Sequence, residues 1–213
     1  MNKLVEFNVK CRRCERLATF LDDVATEYPD YHAKPVAPFG DKSPHLLIVG
    51  LAPGMHGANA SGRPFTGDHA GILLYETLYK YGFSNQPESR SINDGLKLIN
   101  CRITNAVKCL PPQNKPTGEE IRTCNSYLQH ELEALSPGSV VLALGGIAHN
   151  AILRAFNLKL KEFPFKHNQS YAITDNLVLV DSYHCSRYNT QTKRLTTPMF
   201  HAVFEHIRKI LND

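Results

Sequence analysis

The sequence predicts a three-layer α/β/α fold built on a central, mostly parallel four-stranded sheet. Four short apolar runs have the length of buried strands, and the segments between them space their apolar residues as helices do. After a first helix, strand and helix alternate four times, which is typical of a parallel sheet covered on both faces. The length of 213 residues favours one domain over 1–213.

The first half of the chain contains two predicted helices and two predicted strands. A helix is expected from Cys14 to about Tyr28, where apolar residues recur at helical spacing. The run HLLIVGL predicts a buried strand at 45–51, and a second helix follows over 68–81. The alternating pattern of CRITNAVK predicts a strand over 101–108.

The second half repeats this alternation twice and ends in a helix. Thr117 and Glu120 form a capping-box pattern, which starts a helix that ends near residue 135. The remaining elements are a strand in SVVLALGG, a helix over 147–156, a strand in NLVLVDSYH, and a helix that Thr197 caps and that ends near residue 211.

A long loop, GLAPGMHGANASGRPFTGD, follows the first strand and runs from Gly50 to Asp68. Its five glycines allow the backbone to approach a ligand closely. In parallel sheets, ligands bind beyond the carboxyl ends of the strands. Because Asn105 and His184 also fall near strand ends, we expect all three motifs to meet at one site.

The residue types at this edge suit a flat heterocycle. Phe65 offers a ring for its face, Asn105 an amide for its edge, and His184 a donor for developing negative charge. Asp68, or in second place Asn59, would hold a water molecule. Structural alternatives stay open at this point: Phe65 in the core, His184 as a hydrogen-bonded structural histidine, and Asp68 as a helix cap.

The charge pattern leaves two interpretations open. The formal net charge is +4, and the segments 182–204 and 42–67 contain no Asp or Glu. Such segments suit contact with a polyanion, but they also occur as solvated loops on a basic protein. No run approaches 18 apolar residues and the first residues are charged, so we expect no membrane span, no secretory signal and a cytoplasmic location.

Six cysteines in a chain expected to be cytoplasmic point to metal binding, catalysis or core filling rather than disulfides. Cys11 and Cys14 form a CxxC pair, and Cys109 and Cys124 follow later. From spacing alone, zinc and an iron–sulfur centre stay equally open. Cys101 is expected to be a small buried apolar residue.

Three segments together resemble the uracil-DNA glycosylase superfamily: the loop from Gly50 to Asp68, ITNAVKCLPPQNKPTGEEI, and HCSRYNTQTKRLT. The likeness is greatest to its iron–sulfur families, in particular family 5, the type b enzymes. It extends from Cys11 to at least Thr196, and four cysteines match as well. The resemblance implies a uracil-DNA glycosylase-like fold.

The resemblance also implies a role for each motif. Phe65 would stack on an extruded base, Asn105 would hydrogen-bond its edge, and His184 would lie against its carbonyl oxygen. Asp68 would activate water, with Asn59 as the second choice. The other expected site residues are Gly50 and Ala52 for base binding, and Arg63, Ser186, Arg187, Tyr188, Lys193 and Arg194 for DNA binding.

Between zinc and an iron–sulfur centre, the resemblance implies a [4Fe–4S] cluster. Its ligands would be Cys11, Cys14, Cys109 and Cys124, and its role would be structural. Three positions depart from the usual patterns. Leu51 stands where family 4 has a carboxylate, Cys185 where motif two usually has proline, and Ala60 where an arginine is common. The departure at position 185 removes a fixed φ from that loop.

The expected function is a monofunctional DNA glycosylase that excises uracil, with other deaminated bases as candidate substrates. Its partner is DNA containing uracil or another damaged base, and we expect a monomer that acts at the nucleoid. Two other classes stay open: a non-catalytic iron–sulfur protein that binds nucleic acid, and a hydrolase of free nucleotides. The acid-free segment after His184 favours DNA over free nucleotides.

Overall fold

A six-stranded sheet forms the centre of the computed structural model, which describes residues 6–212. In chain order the strands are β1 (Phe39–Gly40), β2 (Leu46–Gly50), β3 (Cys101–Asn105), β4 (Ser139–Leu144), β5 (Ser170–Ala172) and β6 (Leu177–Ser182). Across the sheet the order is β1-β3-β2-β4-β6-β5. The inner four strands are parallel, and both edge strands are antiparallel to their neighbours.

The predicted count of four strands was too low, although the fold class is confirmed. The four predicted strands are the inner, parallel ones, and β1 and β5 were missed. With two and three residues, these edge strands are too short to show a periodic pattern.

The helices are α1 (Glu15–Glu27), α2 (Ala58–Ser61), α3 (His69–Lys80), α4 (Gly118–Glu133), α5 (Gly146–Ala155), α6 (Arg187–Gln191) and α7 (Thr197–Asn212). All five predicted helices are confirmed to within a few residues. The sequence did not predict α2 and α6, which have four and five residues and lie inside the two glycine- and polar-rich loops.

Each face of the sheet carries its own core. Alternate strand residues such as Ile48 and Val180 pack with α3 and α7 on one face, where Leu74 and Phe204 are fully buried. The other set, such as Val49, packs with α4 and α5. The period of two along a strand thus produces the three layers, and it leaves the strand ends free for a site.

The capping box of α4 is confirmed, and the cap of α7 was predicted one residue too late. Thr117 Oγ1 accepts from the Glu120 N–H at 3.2 Å, while the Glu120 carboxylate accepts from the Thr117 N–H at 2.7 Å. Helix α7 already includes Thr197, and Thr196 Oγ1 accepts from the Met199 N–H at 3.4 Å.

The prediction of one domain over 1–213 stays a prediction, and residues 1–5 and 213 lie outside the described part of the chain. Among residues 6–212, no helix combines the length and apolar composition that crossing a bilayer requires.

Candidate active site

The carboxyl ends of the parallel strands bring the predicted motifs together. Gly50 ends β2 and pairs in register with Asn105, which ends β3. The pairing continues into the loop, because the Ala106 N–H donates to the Gly50 carbonyl at 2.9 Å and the Val107 N–H to the Leu51 carbonyl at 3.0 Å. Asn105 is therefore fixed beside the start of the long loop.

Gly50 is required by the close approach of two side chains. A Cβ on this residue would lie 2.5 Å from Asn105 Oδ1 and 2.8 Å from Phe65 Cζ, which is closer than real contacts allow. Phe65 has φ = +58°, a conformation that non-glycine residues rarely adopt. The backbone of the loop is therefore strained at Phe65, and the Phe65 ring and the Asn105 amide both lie against Gly50.

Phe65 is a core residue that also borders a cavity. Its side chain belongs to the core packed on α3, and the residue lines a cavity of about 730 Å³. The His184 ring faces it, with the ring centroids 5.9 Å apart and an angle of 26° between the planes. The three residues predicted to surround a base, Phe65, Asn105 and His184, are thus brought together.

His184 is placed by the end of β6 and by α6. The side chain of Asn189 in α6 donates to the His184 carbonyl at 2.8 Å. Burial lowers the pKa of His184 to about 4. At neutral pH the imidazole is therefore uncharged and can donate one N–H without carrying a formal charge.

Asp68 stands at the N-cap position of α3, but its side chain does not cap that helix. Instead Asp68 Oδ2 accepts from the Ala58 N–H at 3.1 Å, and the carboxyl fills space that a Cβ on Gly54 or Gly57 would need. Burial raises the pKa of Asp68, against the opposing effect of the Ala58 hydrogen bond. The cap interpretation is wrong, and the carboxylate is a stronger base than an ordinary aspartate.

Two cavities meet at Asp68. The first, of about 490 Å³, is lined by Leu51, Ala52, Asn114 and His184, and the second is the 730 Å³ cavity against Phe65. Asp68, His69 and Arg187 line both. Asp68 therefore lies between the cavity against Phe65 and the cavity against His184.

Asn114 is a candidate site residue that the sequence interpretation missed. It ends a short 3₁₀ turn (Pro112–Asn114), has φ = +57°, and lines the same cavity as Asp68 and His184. The two prolines of CLPPQN mark a rigid turn after β3, and that pattern offered the only hint.

The structure places two of the residues predicted from the long loop inside the protein. Asn59 is fully buried and lines neither cavity, whereas Asp68 lines both. Arg63 is 4% exposed and its guanidinium pairs with Asp94 at 2.8 Å, donates to the Ile92 carbonyl at 2.7 Å and lies over the Phe39 ring. A buried guanidinium with these partners does not contact phosphate.

The segment after His184 is ordered rather than a plain loop. Ser186 caps α6 by accepting from the Asn189 N–H at 3.4 Å. Tyr188 projects from this short helix with 70% of its surface exposed. Arg187, Lys193 and Arg194 of the same segment are exposed as well.

The four predicted cluster cysteines line a single small cavity, together with Arg13 and Lys108. Cys124 Sγ accepts from the Lys108 N–H at 3.3 Å. Among residues 6–212, no three His, Cys, Asp or Glu side chains are arranged to hold one metal ion. Cys101 is buried in the core, as expected, and so is Cys185, whose thiol pKa burial raises to about 12.

An α/β sheet with these three motifs at its carboxyl edge defines the uracil DNA glycosylase superfamily, and the chain belongs to it: the family profile matches residues 37–208. Within the superfamily, the chain is similar to the type-5 uracil-DNA glycosylase of Thermus thermophilus, with 43% identity over 94% of this chain and 93% of the relative. The type-5 enzyme of Pyrobaculum aerophilum is 42% identical over 88% and 83%. A type-4 enzyme of Archaeoglobus fulgidus is 32% identical over 75% and 66%.

Proposed function

We propose that this chain is a uracil-DNA glycosylase, which hydrolyses the bond between uracil and deoxyribose in DNA and so starts base excision repair. The observation that carries the proposal is the convergence of Phe65, Asn105 and His184 beside the Asp68 carboxylate. Membership of the superfamily and the likeness to the type-5 enzymes support the same activity.

Base recognition rests on Phe65 and Asn105. The Phe65 ring stacks on one face of the extruded pyrimidine, and the Asn105 amide offers both a donor and an acceptor to its edge. The Phe65 and His184 rings face each other with their centroids 5.9 Å apart. We therefore expect the His184 ring to turn as the base enters, so that its N–H meets the edge of the base.

His184 stabilises the leaving base. When the N-glycosidic bond breaks, its electron pair moves to the pyrimidine, and negative charge develops on a carbonyl oxygen. A neutral imidazole N–H stabilises that oxygen without transferring its proton, and positioned donors of this kind contribute about 3 to 4 kcal/mol in comparable sites. The lowered pKa of His184 is the property this role requires.

Asp68 and Asn114 hold the attacking water. The water oxygen bonds to C1′ of the sugar, the bond from C1′ to the base nitrogen breaks, and one water proton passes to the Asp68 carboxylate. The sugar carries positive charge in the transition state, as in glycoside hydrolysis, so a nearby carboxylate also stabilises it. The raised pKa of Asp68 favours proton acceptance, and the amide of Asn114 orients the water from the other wall.

DNA binding uses the segment from Ser186 to Arg194. Extruding a base costs a few kcal/mol, and this cost is smallest for a mismatched pair such as uracil opposite guanine. The exposed Tyr188 ring fills the gap in the base stack, Arg187 adjoins the sugar at the cavity mouth, and Lys193 and Arg194 contact phosphates. Other deaminated bases are further candidate substrates.

We infer that the cysteine cavity holds a [4Fe–4S] cluster. A single zinc ion would draw the thiolates to about 2.3 Å from one centre. An iron–sulfur cube instead binds each thiolate to a different iron, so its sulfur ligands are more widely spaced. Cys11, Cys14, Cys109 and Cys124 would hold the cluster, with Arg13 and Lys108 offsetting its negative charge. It would tie α1 and α4 to the segment after β3.

The proposal includes a monomer that acts on DNA at the nucleoid. All the site residues named come from one chain, so no second copy is needed for catalysis. Sedimentation of the protein with a uracil-containing duplex tests this, because a one-to-one complex is expected and a two-to-one complex contradicts it.

The decisive experiment uses a labelled duplex with one uracil opposite guanine, treated with alkali after incubation. The wild-type protein should produce a strand break at the uracil. His184→Ala should lower the single-turnover rate about 10²- to 10³-fold, while His201→Ala, in α7 beside Lys80, should leave it unchanged. DNA binding without any break would instead identify a non-catalytic nucleic-acid-binding protein.

A further inference from the structure

His167 lies outside the pocket and contacts the segment that carries His184. It lies in the turn between Leu160–Glu162 and β5, a region that none of the three motifs includes. Its Nδ1 accepts a hydrogen bond from the Tyr183 N–H at 3.1 Å. Tyr183 directly precedes His184, so His167 holds the backbone one residue from the imidazole that faces the base.

The side chains of the two residues also stack. The His167 and Tyr183 ring centroids are 4.9 Å apart, and their planes differ by 11°. The Arg194 guanidinium lies over the same Tyr183 ring, 4.8 Å from its centroid. Because Arg194 is one of the residues proposed to contact phosphate, the Tyr183 ring links His167 to the DNA-binding surface.

The turn that carries His167 is itself anchored. The Asn168 N–H donates to the Asp181 carbonyl at 2.8 Å, and the Lys166 N–H donates to the Asp181 carboxylate at 3.2 Å. The other carboxylate oxygen of Asp181 lies 2.7 Å from Nδ1 of the buried His149. An anchored turn gives His167 a fixed position from which to hold Tyr183.

The hydrogen bond specifies the protonation state of His167. Since Nδ1 accepts from a backbone N–H, it carries no proton, and the imidazole is neutral with its hydrogen on Nε2. Burial lowers the pKa of His167, which is consistent with this state.

We propose that His167 is a positioning residue with two separable functions: its Nδ1 fixes the backbone before His184, and its ring supports Tyr183 beneath Arg194. This inference rests on the proposed glycosylase function, because it assigns one function to the base-contacting side of the site and the other to the phosphate-contacting side. The first should appear in the excision rate, and the second in DNA affinity.

Two substitutions separate these functions. His167→Asn keeps an acceptor at the position of Nδ1 but removes the ring, whereas His167→Phe keeps a ring but removes the acceptor. We expect His167→Phe to lower the single-turnover rate about 5- to 10-fold, the value of one lost hydrogen bond, with DNA affinity near wild type. We expect His167→Asn to keep the rate within about twofold and to weaken binding of an abasic-analogue duplex about 3- to 5-fold, as loss of a supported cation–π contact implies.

Matched controls are His201→Asn and His201→Phe, which change a histidine of α7 that lies beside Lys80. Amide hydrogen exchange at Tyr183 gives a readout that needs no catalysis, and it should be faster in His167→Phe but not in His167→Asn. Equal loss of rate and affinity in both variants, or none in either, overturns the proposal. If the wild type excises no uracil, the proposed function fails, while exchange and DNA affinity still test His167.

Discussion

Two parts of the same loop treat their polar residues in opposite ways. On one side Asp68 is held by one hydrogen bond, from Ala58, and its carboxylate faces two cavities. On the other side the Arg63 guanidinium donates hydrogen bonds to Asp94, Ser89 and Ile92 inside the protein. A polar side chain can therefore act on a ligand only if it keeps unused hydrogen-bonding groups at a cavity. Its residue type and its place in a motif do not decide this.

The part of the loop around Arg63, the anchoring side, explains how the part around Asp68, the catalytic side, keeps its geometry. The ion pair of Arg63 with Asp94 ties the loop to the segment that lines the outer wall of the 730 Å³ cavity. Tyr75 of α3 adds a hydrogen bond of 2.6 Å to the Pro64 carbonyl, next to Phe65. The strained φ of Phe65 is thus supported from both sides.

The largest expected effect comes from the catalytic side. Asp68→Asn should lower the uracil-excision rate about 10³- to 10⁴-fold, since the amide cannot accept the water proton. Its thermal midpoint should stay close to wild type because the acceptor for Ala58 is retained. Single-turnover kinetics and a melting curve measure both. Asp23→Asn, an exposed change on α1, is the matched control; full activity of Asp68→Asn would remove the carboxylate from the mechanism.

The anchoring side should show the reverse pattern. Arg63→Met removes the partner of the buried Asp94 carboxylate, and breaking such a pair should cost about 3 kcal/mol of unfolding free energy. Denaturant unfolding measures this loss. The salt dependence of DNA binding should not change, because Arg63 contacts no phosphate. A reduced salt slope in the folded variant would show that Arg63 reaches DNA after all.

The pKa of His184 predicts a pH effect on stability of intermediate size. The native imidazole takes up its proton near pH 4 and the unfolded one near 6.5. The unfolded state therefore binds more protons between these values. This histidine should destabilise the fold progressively as the pH falls from about 6.5 to 4, by at most about 3 kcal/mol.

Unfolding free energies of wild type and His184→Gln, compared at pH 7 and pH 4.5, isolate the contribution of His184. The wild type should lose more stability than the variant over this interval. An equal loss in both proteins would mean that the native and unfolded imidazoles titrate alike.

The smallest effect is expected at Asn59. Both polar atoms of its buried amide find no partner within residues 6–212. Asn59→Leu keeps a similar volume and removes this uncompensated burial, so it should stabilise the protein by about 1 kcal/mol. Denaturant unfolding measures this, with uracil excision expected to be unchanged. A clear loss of stability would reveal a buried water or another partner at this amide.

Much of the fold followed from local patterns in the sequence. The capping box at Thr117 and Glu120 starts α4 as expected, because it depends on residues three positions apart. The inner strands were evident from their apolar runs. Strands β1 and β5 were not, since strands of two and three residues exist through pairing with a neighbour rather than through their own pattern.

The residues of the candidate site also fall into two groups, those that the sequence predicted and those that it missed. The sequence predicted one site at the strand ends, and the structure places Phe65 beside both His184 and Asn105 there, because parallel strands bring their carboxyl ends to one edge. Asn114, which lines a cavity with Asp68, and His167, which contacts Tyr183 from outside the pocket, were missed because both lie in turns whose direction no periodicity specifies.

The layers of this protein, the edge of the sheet at which its polar motifs meet, and the four spaced cysteines can all be read from the chain alone. These features follow from the strand period of two, the helix period of 3.6 and short motifs, all of which act over a few residues. The inward direction of Arg63 and Asn59, the position of Asp68 at a cavity, and the contact of His167 with the segment after β6 depend instead on long-range packing. Burial and hydrogen-bond partners depend on residues far apart in the chain, and folding alone brings those residues together.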